Sequence, residues 1–170
     1  MSEQISINEA VEAALNPVEF KDDVIRRTEE RLKANLDKMM AEFKKDLELF
    51  FAIKDAMAEL PDIEVGPAGE EKQCKFSKPL PGICCKYTVK QDGFECQGVL
   101  RIAYPEGRNR EFYINGVILS DDVYRYGTCM SEVTIYKGQT INEVPQIIND
   151  FRTQLHRVFF DHDLRNRNDR

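Results

Sequence analysis

Residues 17–60 read PVEFKDDVIRRTEERLKANLDKMMAEFKKDLELFFAIKDAMAEL, a run with no glycine and no proline after its first residue. Asn16, Pro17 and Glu19 spell a helix start: an N-cap, the first helical position and the far end of a capping box. Pro61 spells the stop, because its ring disfavours helical geometry at Leu60. A helix of that span measures about 65 Å at ~1.5 Å per residue, more than a domain built from the rest of the chain is wide. Leu32, Leu36, Met39, Phe43, Phe50, Ile53, Met57 and Leu60 recur at steps of three and four, with one gap at Asp46 where the stripe slips to Leu47. Such a stripe has the spacing of a coiled-coil seam. Over residues 43–60 it also fits a helix lying on its own sheet. Over residues 20–40 an intermolecular or hairpin contact fits better. There Asp22/Arg26, Asp23/Arg27 and Glu29/Lys33 add acid-first pairs four apart on the outer faces.

Upstream, Ser6-Ile7-Asn8-Glu9 is a second capping box and opens a short helix ending at Asn16-Pro17. Downstream, residues 61–82 carry Pro61, Gly66-Pro67, Gly69, Pro79 and Pro81-Gly82 and read as a linker. The pattern then changes to period two. Ile83, Cys85, Tyr87 and Val89 face one way and Cys84, Lys86 and Thr88 the other. Asp92-Gly93 is a hairpin signal. Strands follow over 94–104, 110–119 and 129–136. A third capping box, Thr140-Ile141-Asn142-Glu143, opens a helix whose Val144, Ile147, Ile148, Phe151, Leu155, Val158 and Phe159 share one face. Residues 161–170 read as a polar tail.

The fold expected is α+β: a short N-terminal helix, the long helix, a four-stranded antiparallel meander, and a C-terminal amphipathic helix packed on the sheet. Residues 1–60 form a helical, self-associating region and 83–160 the α+β domain. In outline this plan is similar to type III secretion chaperones and to small dimeric nucleoid-associated proteins. No motif is shared with either, and no residue is carried over.

The net charge of −6 is uneven. Residues 1–60 hold 14 acids and 9 bases, residues 61–138 hold 11 and 10, and residues 139–170 hold 5 and 5. A long helix with the acid excess is poorly suited to wrapping nucleic acid. No window is apolar enough for a membrane span, and the N-terminus lacks the features of a signal peptide. Five cysteines make an odd count for a disulfide framework, which points to a reducing cytoplasm, a bacterial cytosol or the interior of an infected cell.

Chemistry is thinly represented. Cys74, Cys84, Cys85, Cys96 and Cys129 show no close pair of zinc-ligand spacing, and Cys84 and Cys85 point to opposite faces of a strand. Cys85 and Cys96 read as small core residues on neighbouring strands. His156 reads as a helix-flank residue and His162 as part of the solvated tail. No nucleophile elbow and no phosphate-binding glycine loop occurs. The reading is therefore non-enzymatic, with no cofactor and no metal. Arg101, Tyr104, Arg108, Arg110 and Tyr113 gather at one hairpin tip, and Tyr124, Arg125 and Tyr126 in the next loop. Arg and Tyr are enriched at protein-binding hot spots and also stack on nucleotides. The expectation is an adaptor, inhibitor or chaperone-like protein that binds an unidentified protein through these residues. It would form a homo-oligomer through Leu32, Leu36, Met39, Phe43, Leu47 and Phe50. A nucleotide- or nucleic-acid-binding module using Arg101, Arg108, Arg110 and Arg125 is the alternative.

Overall fold

The computed structural model describes residues 17–70, 82–105, 108–120 and 127–168. The expected short helix before Pro17, with Asn16 as N-cap of the long one, lies outside these residues, as does Cys74. The elements in order are α1 (Pro17–Ala58), β1 (Ile63–Val65), β2 (Gly69–Glu70), β3 (Gly82–Gln91), β4 (Phe94–Ala103), β5 (Glu111–Ile118), β6 (Thr128–Cys129), β7 (Val133–Thr134), a 3₁₀ turn (Ile141–Glu143) and α2 (Val144–Asn168). The chain divides into two compact units, Met1–Lys45 and Asp46–Arg170. The division falls inside α1 and not at residue 60. The reason is burial: Leu49, Phe50, Ile53 and Met57 are core residues of the second unit.

The sheet of the second unit is antiparallel throughout and is built on β3, β4 and β5. β1 and β2 pair in succession with one edge of β3, and β6 and β7 with the outer edge of β5. Five strand positions therefore replace the expected four. Part of the expected linker is sheet, because Ile63 and Val65 bring apolar side chains into register with Val89 and Tyr87.

Both outer positions are broken by one extra residue. Ile63 pairs with Val89 and Val65 with Tyr87, but Gly69 pairs with Cys84, a register shift of one. On the far side Cys129 pairs with Val117 while Val133 pairs with Ile114. Three residues, 130–132, therefore oppose two, 115 and 116. This β-bulge explains why the single strand expected over 129–136 is two pieces. It switches the inward-facing parity from Thr128 and Met130 to Val133 and Ile135, all four buried. Bulged, short outer strands also blunt both edges of the sheet against pairing with other chains.

One face of the sheet carries the core. Tyr87, Gly98 and Gly116 lie in register on three adjacent strands. The two glycines are required by a close approach. A Cβ on Gly98 would stand 2.0 Å from the Asn115 carbonyl oxygen and 2.5 Å from the Tyr87 ring, and one on Gly116 would stand 2.6 Å from the Tyr87 hydroxyl. The tyrosine thus lies across its two neighbouring strands. Its hydroxyl donates to the Asn115 carbonyl, and Asn115 Oδ1 accepts from the Val99 amide at 3.2 Å. Phe151 of α2 meets the Tyr87 ring edge-on at 5.2 Å, a contact that adds about 1 kcal/mol to its area burial. Phe50 of α1 reaches Phe112 on the same face, with ring centroids 6.4 Å apart.

The local signals behave as their chemistry dictates. Asp92 and Gly93 both have positive φ, 52° and 82°, as a two-residue hairpin between right-twisted strands requires. Thr140 and Glu143 form the capping box in full, with the Thr140 amide donating to Glu143 at 2.6 Å. These hydrogen bonds hold the Glu143 carboxyl below its ordinary pKa. The C-terminal residues differ from expectation. Helix α2 continues to Asn168, and His162 is buried and not in a solvated tail. Its Nδ1 lies 2.8 Å from Thr128 Oγ1, and its ring meets Phe94 edge-on at 4.6 Å.

Candidate functional site

The Arg/Tyr residues expected to form one hairpin-tip site are divided by strand parity. Residues alternate between faces along a strand. Arg101 and Tyr113, opposite each other in register, lie on the face away from the helices. Tyr104 and Arg110 follow the parity of the core residues Ile102 and Phe112 and turn toward α1.

On the helix side the group that receives them is Asp46. Its carboxylate accepts from the Tyr104 hydroxyl at 2.7 Å and lies 3.3 Å from Arg110 Nε. Arg110 also donates to the Ile135 carbonyl at 3.1 Å and rests on the Phe112 ring at 5.2 Å. The Asp46 and Arg110 side chains are 13% and 10% exposed. Asp46 is the gap in the long apolar stripe. What reads in sequence as a slipped seam is an inward-facing carboxylate holding the β4–β5 hairpin to the helix. Tyr104 and Arg110 are thereby structural residues and offer little to a ligand.

On the open face Arg101 donates to the Tyr113 hydroxyl at 2.6 Å, lies 3.5 Å from Glu111 Oε2 and stands over the Tyr113 ring at 5.7 Å. The row Cys84–Arg101–Tyr113–Thr134 runs across four strands. Outward-parity positions of the described strands carry Lys86, Lys90 and Arg101 against Glu64, Glu95 and Glu111, so their formal charges cancel. Arg108 is exposed at the hairpin tip. Tyr124, Arg125 and Tyr126 lie outside the described residues.

The residues expected to mediate self-association also divide. Phe50 is fully buried in the core of the second unit and takes no part in an intermolecular seam. Phe43 and Leu47 are half-buried. Leu32, Leu36 and Met39 are 64%, 60% and 66% exposed, and Val24, Ile25 and Met40 are exposed beside them. Asp23, Arg26, Arg27 and Glu30 tie up another face of this segment. Arg26 bonds Asp23 at 2.6 Å and Glu30 at 3.0 Å, and Arg27 bonds Asp23 at 2.8 Å. The Arg26 hydrogen bond holds the Asp23 carboxyl below its usual pKa.

The cysteines fall where their neighbours dictate. Cys85 and Cys96 are buried in the core, and burial pushes each thiol up to about 11. Cys84 is half-buried and Cys129 exposed, and all four are free thiols. Among the described residues no group of three or more His, Cys, Asp or Glu side chains is placed to hold a metal ion, and no helix is long and apolar enough to cross a membrane.

Sequence reasoning missed Asp46, and its signal was the interruption of the stripe itself. It also missed His162, which continues the Phe151–Leu155–Val158 spacing by one more step of four. No protein-family model matches the chain, and neither a curated protein nor a solved structure is detectably similar to it.

Proposed function

We propose that this chain is a non-enzymatic protein–protein interaction protein that self-associates through the first half of α1 and acts as an adaptor, inhibitor or chaperone-like protein. One observation carries the reading. A single apolar stripe runs along α1, its later positions Phe50, Ile53 and Met57 fully buried and its earlier positions Leu32, Leu36 and Met39 about two-thirds exposed. Large apolar side chains repeated at coiled-coil spacing and left in water favour association, because each one covered gains about 1.5–3 kcal/mol. The free thiols fit a reducing, cytoplasmic compartment.

The nucleic-acid alternative is the weaker reading. Arg110 would have to leave Asp46, and Arg101 would have to leave Tyr113 and Glu111. The remaining charges at outward positions of the described strands cancel, whereas phosphate binding needs a positive excess.

The test is Leu32→Asp with Leu36→Asp in the full chain, measured by light scattering and by thermal unfolding. The reading expects a fall in mass to one chain that still unfolds cooperatively, with a midpoint at or below that of the parent at matched concentration because association no longer adds to its stability. An unchanged mass removes this stripe as the association surface. In parallel, a labelled single-stranded oligonucleotide at low salt should show no anisotropy change. Tight, salt-sensitive binding would favour the alternative.

A further inference from the structure

The exposed half of α1 carries enough pattern to assign the direction in which its partner runs, on the reading that it self-associates. In the heptad frame set by the stripe, Leu36 and Phe43 take one seam position and Ile25, Leu32 and Met39 the other; Glu29, expected on an outer face from its pairing with Lys33, falls by the same step of seven on the position of Leu36 and Phe43. A parallel, in-register pair puts like against like, so the Glu29 carboxylate of one chain meets the Glu29 carboxylate of the other inside the seam. Two facing carboxylates withdrawn from water oppose association. An antiparallel pair removes that conflict. With Leu32 set against Leu36 of the second copy, Ile25 falls against its Phe43 and Glu29 against its Met39. Every aliphatic or aromatic seam residue then meets an apolar one, and each carboxylate meets a flexible thioether that leaves its oxygens a path to water. At the flanks Thr28 comes beside Glu42 of the second copy. The two Lys33 side chains approach only at the seam's rim, where long stems keep their ammonium groups solvated.

We infer that the partner of this stripe is a second copy of the same chain, lying antiparallel, with Leu32 of each chain packed on Leu36 of the other. The stripe is complementary to itself in this direction, so no third component is needed to cover it.

The test is disulfide trapping in the full chain, with the joined peptides identified by mass so that the native cysteines do not confuse the result. In the antiparallel pair Met39 lies opposite Glu29 of its partner, ten residues from the partner's own position 39, or about 15 Å along the axis. A disulfide needs Cβ atoms about 3.5–4.5 Å apart. Met39→Cys alone should therefore give no 39–39 link, while a mixture of Glu29→Cys and Met39→Cys copies should give the 29–39 link. A 39–39 link from the single variant shows a parallel pair and overturns the direction while leaving self-association standing. A chain that light scattering finds monomeric overturns the functional reading beneath it. An oligomer with neither link places the contact elsewhere and overturns the assignment of this stripe.

Discussion

Replacing Asp46 tests whether the interruption in the α1 stripe holds the hairpin to the helix. Asp46→Ala removes the acceptor of the Tyr104 hydroxyl at 2.7 Å and the counter-ion of Arg110 at 3.3 Å. Hydrogen bonds to a charged group contribute about 1.5–3 kcal/mol each, and stripping one partner from a buried ion pair costs about 3–5 kcal/mol. The low end applies. Arg110 keeps its bond to the Ile135 carbonyl and its seat on the Phe112 ring, and both ionic side chains retain some exposure. The expected loss is therefore about 3 kcal/mol, or a fall of roughly 6–12 °C in Tm for a chain of this size. Urea unfolding followed by far-ultraviolet circular dichroism is the assay, since the chain has no Trp, and protein concentration is held fixed because association shifts apparent stability. The double variant Asp46→Leu with Arg110→Met is the decisive arm. Replacing both members of a buried pair by apolar groups is often neutral, so the double variant should lose less than Asp46→Ala alone. An Asp46→Ala loss under about 0.5 kcal/mol, the size of an ordinary surface change, would refute the clamp. So would a double variant whose loss equals the sum of its two singles, the mark of independent sites.

Other expectations follow from the same packing. Gly98→Ala should cost at least about 2 kcal/mol, because the added methyl displaces the Tyr87 ring or the Asn115 carbonyl; Gly69→Ala, where nothing lies within 4 Å, should stay within about 0.5 kcal/mol in the same urea assay. Arg108→Ala should leave stability within about 0.5 kcal/mol, like other exposed changes, while Arg110→Ala should lower it by several times that. Among the described cysteines, alkylation of the native chain should label Cys129 first and reach Cys85 and Cys96 only on unfolding. The same two thiols make stability fall in alkali. Their folded pKa values, about 11, lie above the ordinary 9.0. The unfolded chain therefore loses these protons first, and stability held below pH 9 should decline as pH rises from 9 toward 11. A urea midpoint unchanged across that interval would mean that the thiols are not buried.

The parts of this fold that a sequence reader can recover are those set by local chemistry. The Asp92-Gly93 hairpin, the Thr140–Glu143 capping box and the inward alternation of Cys85, Tyr87 and Val89 each depend on residues a few positions apart. The harder parts depend on pairing across long distances. Nothing near Gly98 or Gly116 announces that both lie beneath one tyrosine, because the reason sits in strand β3. The break between β6 and β7 is visible only as a step of three between Met130 and Val133. The Arg/Tyr cluster misleads for a simpler reason. Residues 101 and 104 are an odd number apart and face opposite ways, Arg101 toward Tyr113 and Tyr104, just past the end of β4, toward Asp46, and proximity in the chain does not put their side chains in one site. Asp46 shows the converse, a residue that breaks a pattern because it answers a distant Tyr and Arg.

The most direct measurement is the molar mass of the full chain by light scattering across a wide dilution series. The account predicts at least twice the chain mass at high concentration, falling toward one chain on dilution. A single-chain mass at every concentration, with the same unfolding midpoint throughout, would contradict it.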